Sequence, residues 1–126
     1  MYKIAVLMDP IENLDPSKDT TICLIESLQK FAKIFYISPN TISYKNKLVT
    51  ASIAEVIIDK KKSRFYKLYK FKEQNLDQMD AILFRKDPPV NDSYLNVAHI
   101  LQRLESDGKL IMNSPSSIMM MNEKLS

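Results

Sequence analysis

The apolar strand Asp80-Ala81-Ile82-Leu83-Phe84 runs directly into Arg85-Lys86-Asp87-Pro88-Pro89, and this junction constrains the fold more than any other stretch of the chain. The apolar run belongs in an interior, whereas three consecutive charges do not. The two prolines fix φ and withdraw backbone donors, so the strand must end at a stiff turn. A second such turn, Met8-Asp9-Pro10-Ile11-Glu12-Asn13, follows the first apolar run. Stiff turns carrying converging charges at strand ends are where open α/β sheets bind ligands. Taken singly, each has a purely structural account. Asp9, Asp19 and Asp87 can cap turns or helices, and Arg85 and Lys86 can simply be solvated. Two of them at the carboxyl ends of neighbouring parallel strands favour a site.

The remaining pattern supports such a sheet. Lys3 to Met8 reads as a buried strand, and Asp19 is placed to N-cap a helix. Leu24, Ile25, Leu28, Phe31 and Ala32 recur at helical spacing, and Ile34 to Ile37 makes a second strand. Strand, helix and strand with short joints begin a parallel sheet. Further on, Asn91 or Asp92 is placed to cap a helix carrying Tyr94, Val97, Ala98, Leu101 and Leu104 on one face. Gly108, the only glycine, falls where a left-handed C-terminal cap belongs, before a short strand at Leu110-Ile111-Met112. Lys47 to Asp59 and Phe65 to Glu73 have β-like composition and read as an antiparallel hairpin appended to the sheet. The expected fold is α/β: a three-layer open, mostly parallel sheet with flanking helices and that hairpin.

At 126 residues the chain is one domain by length, and such a chain buries roughly two-thirds of its unfolded surface. We place the domain at residues 1–117. Residues 118–126 begin like a helix and stop without a cap, which reads as the start of a linker into a missing region.

Several chemistries are excluded by composition. One glycine cannot build a Gly-x-Gly-x-x-Gly turn or a Walker-type phosphate loop. One histidine and one cysteine cannot make a zinc set, and no metal site is expected. His99 reads as a helix-surface or partly buried imidazole rather than a triad member, and Cys23 as a small packed hydrophobe in the first helix. No catalytic residue is expected within this chain. A lone cysteine permits no internal disulfide and points to the reducing cytoplasm. The run from Tyr2 to Met8 is too short for a signal-peptide core or a membrane span, so no membrane partner is expected.

Charge is unevenly distributed. Lys60, Lys61, Lys62, Arg64, Lys67, Lys70 and Lys72 are seven of the 18 basic residues, with no acid among them. Outside that segment 11 basic residues face 15 acidic ones, a balance of −4. Phe65, Tyr66, Tyr69 and Phe71 interleave with the cations, the composition that single-strand nucleic-acid binders use. The plainer account is an edge strand whose lysines block unwanted pairing while its aromatics pack inward. No recognised binding motif accompanies the charge, so a nucleic-acid adaptor through residues 60–72 is the weakest reading. A stand-alone α/β module binding small anions or peptides at the two turns is the stronger alternative.

Met8-Asp9-Pro10-Ile11 with Asn13, Lys18-Asp19, Arg85-Lys86-Asp87-Pro88-Pro89, Asn113-Ser114-Pro115 and Asn122-Glu123-Lys124-Leu125 resemble, in order and spacing, the amino-terminal domain of bacterial glutathione synthetase. The Arg-Lys-Asp-Pro-Pro run is the most specific of these segments. The last two are shared more widely by ATP-grasp ligases. The resemblance implies a pre-ATP-grasp-like fold and a full-length ligase that uses ATP and Mg2+, neither expected bound to this fragment. It implies γ-glutamylcysteine and glycine as substrates, joined by way of an acyl phosphate, and a homo-oligomer at full length. It further implies Asp9, Asn13, Lys18, Asp19, Arg85, Lys86 and Asp87 as substrate-binding residues, with Lys124 at the edge of an incomplete ATP site. The fragment alone is expected to be inactive.

Overall fold

The computed structural model describes residues 1–85, 99–100, 102–106, 108 and 110–112. Eight strands among them form one sheet: β1 (Tyr2–Met8), β2 (Ala32–Ile37), β3 (Ser43–Lys45), β4 (Leu48–Ile58), β5 (Tyr66–Leu68), β6 (Lys72–Asn75), β7 (Ala81–Arg85) and β8 (Leu110–Met112). Helix α1 spans Thr20–Leu28, short 3-10 turns cover Ile11–Asn13 and Leu76–Gln78, and residues 99–100 and 102–106 are helical.

β1 is central. It pairs in parallel with β2 on one side and with β7 on the other, and β7 pairs in parallel with β8. Alternation along β1 divides its side chains between two cores. Ile4, Val6 and Met8 join Ile22, Ile25 and Leu28 of α1 on one face. Ala5 and Leu7 join Leu76, Met79 and Leu104 on the other. The result is the expected three-layer α/β arrangement, with a mostly parallel centre and antiparallel strands at one side.

That side is built around β4. Its upper half pairs antiparallel with β2, and its first residues pair with β3. β3 and β4 are joined by two residues, Asn46 and Lys47, both at positive φ (53° and 67°). This is the signature of a tight primed hairpin turn. The strand β3 was not foreseen, because only Asn46 hints at such a turn. The opposite edge of β4 carries β5 and β6. Between the pairs Val56–Leu68 and Ile53–Lys72 the edge takes one more residue than β4 does, so β5 and β6 form one edge strand interrupted by a bulge. The expected appended hairpin is therefore present.

Helix α1 begins where expected. The Asp19 carboxylate accepts the Ile22 N–H at 3.1 Å, occupying one of the free donors of the first turn. Its end differs from the expectation. Phe31 and Ala32 continue the helical periodicity, yet the helix stops at Leu28, and Ala32 opens β2 opposite Tyr2. Pairing with β1 overrides the local pattern, and Phe31 is left 40% exposed. Cys23 also differs. It is exposed rather than packed, because the buried stripe runs through Thr21, Ile22, Ile25 and Leu28 and position 23 falls off it. The helix near the C-terminal end places Leu104 in the core and leaves His99 exposed, and Gly108 has φ +96° with its N–H bonded to the Glu105 carbonyl at 3.0 Å. The expected positions Asn91, Asp92, Tyr94, Val97, Ala98 and Leu101 lie outside the described residues, as do residues 118–126.

α1 is tied to β4 by one line of side chains. The Gln29 amide donates to the Ile58 carbonyl at 2.8 Å and accepts the Ile58 N–H at 2.9 Å. One turn earlier Glu26 accepts the Lys60 N–H at 3.1 Å, and before that Cys23 Sγ lies 3.0 Å from Lys60 Nζ. Gln29→Ala removes both bonds to a strand-end residue that is only 2% exposed. The expected cost is about 1–3 kcal/mol, read as a lower urea midpoint at unchanged slope.

Candidate functional site

The register pairs Met8 with Arg85 at the carboxyl ends of β1 and β7. From β1 the chain crosses by α1 to β2 on one side, whereas β7 is followed by β8 on the other. The two connections therefore leave from adjacent strands in opposite directions. A crevice opens at such a reversal point in an open α/β sheet, and ligands bind there. Asp9 and Pro10 follow β1 there, and Arg85 ends β7 there.

Arg85 is half-buried and leans toward the start of α1. Its Nη2 donates to Thr20 Oγ1 at 3.0 Å, and its Nε to Thr21 Oγ1 at 3.4 Å. A guanidinium carries five donors, so three have no partner among the described residues. No carboxylate among the described residues pairs with it. The guanidinium also sits at the positive end of the helix dipole, where a cation is disfavoured and an anion is favoured. Held by neutral hydroxyls, a guanidinium with free donors has the chemistry to grip a carboxylate with two parallel hydrogen bonds.

The opposite turn is held from below. Pro10 starts the 3-10 turn, Ile11 is buried, and the Asn13 N–H bonds back to the Pro10 carbonyl at 3.0 Å. The buried Tyr36 hydroxyl, at the end of β2, accepts the Ile11 N–H at 3.4 Å. Asp9 is half-buried and Asn13 exposed, and neither side chain has a hydrogen-bond partner among the described residues.

The other candidates divide. Lys18 is exposed, on a turn organised by Asp15, whose carboxylate accepts the Ser17 N–H at 2.9 Å and hydroxyl at 2.7 Å. Those bonds hold the Asp15 carboxyl below the usual carboxylate range. Asp19 lies one residue before Thr20, and the carboxylate oxygen Oδ1 is engaged as the helix cap. Lys86, Asp87 and Lys124 lie outside the described residues. Asp9 and Arg85 therefore stand on adjacent strand ends at the reversal point, Asn13 ends the short turn after Asp9, and Asp19 precedes the two threonines that hold Arg85. Thr20, Thr21 and Tyr36 were missed by the sequence reading, because threonine and tyrosine in those positions carry no motif. Only the 64-residue separation closed by the fold brings Thr21 to Arg85. No group of three or more His, Cys, Asp or Glu side chains among the described residues is arranged to hold a metal ion.

Fold and site together define an open α/β domain in which the strand ends carrying Asp9 and Arg85 lie side by side at the reversal point. The family model for the prokaryotic glutathione synthetase N-terminal domain matches residues 2–119, and the chain belongs to that family. Among curated relatives, the glutathione synthetase of Coxiella burnetii is 34% identical over 98% of this chain, and the match covers 39% of that relative. The glutathione synthetase of Wigglesworthia glossinidia brevipalpis is 33% identical over 100% of this chain and 40% of the relative. That of Buchnera aphidicola subsp. Schizaphis graminum is 32% identical over 98% and 39%. The chain thus spans about two-fifths of the length of the relatives it matches.

Tyr36 gives the site a pH signature. Burial pushes its phenol above the ordinary 10.0, the Ile11 N–H opposes this, and the charges of Glu12 and Asp9 push it further up. The fold favours the neutral phenol, so this stability is complete below pH 10 and is lost as pH rises toward the higher folded value. Tyr36→Phe is expected to flatten the alkaline loss and to cost about 1 kcal/mol at neutral pH by stranding the Ile11 N–H. Urea midpoints from about pH 8 to 11 check both.

Proposed function

We propose that this chain is the substrate-side domain of an ATP-dependent ligase that joins γ-glutamylcysteine to glycine to make glutathione, acting in the cytoplasm. Membership of the family supports the reading, and the Arg85 guanidinium, held by Thr20 and Thr21 with three donors free among the described residues, is the observation that carries it. The dipeptide carries several carboxylates and one free amine. Arg85 binds a carboxylate, and Asp9 with Asn13 receives the amine, so the reversal point reads both ends of the substrate. Lys86 and Asp87, next along the chain, are assigned by the same reading to substrate binding.

In the proposed reaction the γ-phosphoryl of ATP passes to the substrate carboxylate, and the glycine amine then displaces phosphate from the acyl phosphate as the C–N bond forms. ATP and Mg2+ supply that activation. The described residues do not fit them, since they offer neither a glycine-rich phosphate cradle nor a carboxylate cluster for the metal. What this chain's own residues do is bind, orient and neutralise the peptide.

The reading is tested in a full-length chain carrying this domain. Arg85→Ala is expected to raise KM for γ-glutamylcysteine about tenfold or more while leaving KM for glycine within about twofold, and Arg85→Lys to recover only part of the loss. Equal effects on both substrates, or none, overturn the assignment of Arg85. The 126-residue chain alone is expected to hydrolyse no ATP in the presence of γ-glutamylcysteine and glycine.

A further inference from the structure

At the other end of the sheet, far from the reversal point, one sheet face carries a concentration of positive charge over an apolar floor. Lys3 of β1 and Lys33 of β2 stand directly opposite each other. Like charges in such a pair destabilise a sheet unless an anion joins them. On the neighbouring strands the rungs Ile57–Lys67 and Ile53–Lys72 project to the same face as Phe35 and Glu55, which are themselves paired. The bulge between β5 and β6 is what returns Lys72 to this face after Tyr69. Without the extra residue Lys72 would point away.

The floor is apolar and partly aromatic. Ile57 is 39% and Tyr69 46% exposed, while the 3-10 turn Leu76–Gln78 packs on the same face and closes the cavity on one side with Gln78 and Met79. Phe35, Ile53 and Tyr69 line a cavity of about 430 Å3 ringed by Lys3, Lys70 and Lys72. None of these ammonium groups has a carboxylate partner among the described residues. Among the described residues, the one carboxylate lining the cavity is Glu55. Lys67 already rests on one side of the Tyr69 ring, with Nζ 4.9 Å from its centroid, as a cation does beside a stacking platform.

The plainer account of this strand required aromatics packed inward. Phe65 does so at 7% exposure, and Phe71 lies edge-on to the buried Tyr36 ring at 6.2 Å on the α1 side of the sheet, but Tyr69 at 46% exposure does not. Lysines suffice to discourage edge pairing and need no exposed rings beside them. Cations on a flat sheet face with open aromatic rings are the means by which sheets hold unpaired nucleotides: phosphates meet the cations and bases lie on the rings. An acidic protein segment would meet the charge but leave the rings without a stacking partner.

We propose that this face binds single-stranded nucleic acid, with a base stacked on Tyr69 in the cavity and the backbone tracking Lys3, Lys33, Lys67, Lys70 and Lys72. The site is separate from the ligase reading and stands or falls without it. The test is fluorescence anisotropy of a labelled oligo-dT twelve-mer with the 126-residue chain across a salt series. Expected are saturable binding at low salt and a log–log salt slope of about −3, equivalent to about four phosphates. Lys70→Glu/Lys72→Glu is expected to weaken binding about tenfold or more, whereas Lys30→Glu/Lys45→Glu, with the same charge change elsewhere, stays within about threefold. Tyr69→Ala is expected to weaken it about fivefold or more, and Tyr69→Phe to restore it. No binding at low salt overturns the proposal. So does equal competition by polyglutamate and oligo-dT together with an indifferent Tyr69→Ala variant, which would mark the face as a docking surface for acidic protein.

Discussion

The parallel pairing of β1 with β7 is the constraint on which the structure depends. It joins residues 77 positions apart, buries Ile4, Val6, Ile82 and Leu83 completely, and sets Met8 beside Arg85. The pairing is locked at its lower end, where the Asp80 carboxylate accepts the Lys3 N–H at 2.8 Å and the Asp80 N–H donates to the Lys3 carbonyl at 2.7 Å. A one-residue slip would send every core side chain of β7 to the wrong face. It would also turn Arg85 away from α1, on which the anion site rests. Fold stability and site geometry are therefore consequences of one register.

α1 serves both ends of the molecule. Its first turn supplies the hydroxyls that hold Arg85, and its last turn and C-cap clamp the exit of β4 through Glu26 and Gln29. The helix is only nine residues long, too short to be stable by itself in water. Its order comes from Ile22, Ile25 and Leu28 in the core and from these end contacts. The basic turn after β4 and Arg85 at the end of β7 are consequently mounted on the same short rod.

The sequence revealed what local patterns determine. β1, β8, the Asp19 cap and the Gly108 turn were legible because a strand run, a capping carboxylate and a lone glycine each act within a few residues. The end of α1 was not. Ala32 obeys the helical period, but leaving the helix there gains a partner strand, an interaction 30 residues distant that no window contains. Cys23 was misplaced for a related reason, since one step off the buried stripe is enough to reach solvent. In the site, Asp9, Asn13 and Arg85 were readable from the stiff turns around them. Thr20, Thr21 and Tyr36 were not, because their roles arise from contacts between separate elements. The bulge that aims Lys72 is visible only as a mismatch between two registers.

The central claim is that the Asp9 and Arg85 turns together form one wall of a peptide site. The most direct measurement is two-dimensional NMR of this chain titrated with γ-glutamylcysteine. Weak, specific binding should shift the amides of Asp9 to Asn13, Thr20, Thr21 and Arg85 together along one saturable curve, with residues 60–72 unmoved. Shifts confined to other surfaces, or the same shifts produced equally by an unrelated acidic dipeptide, would contradict it.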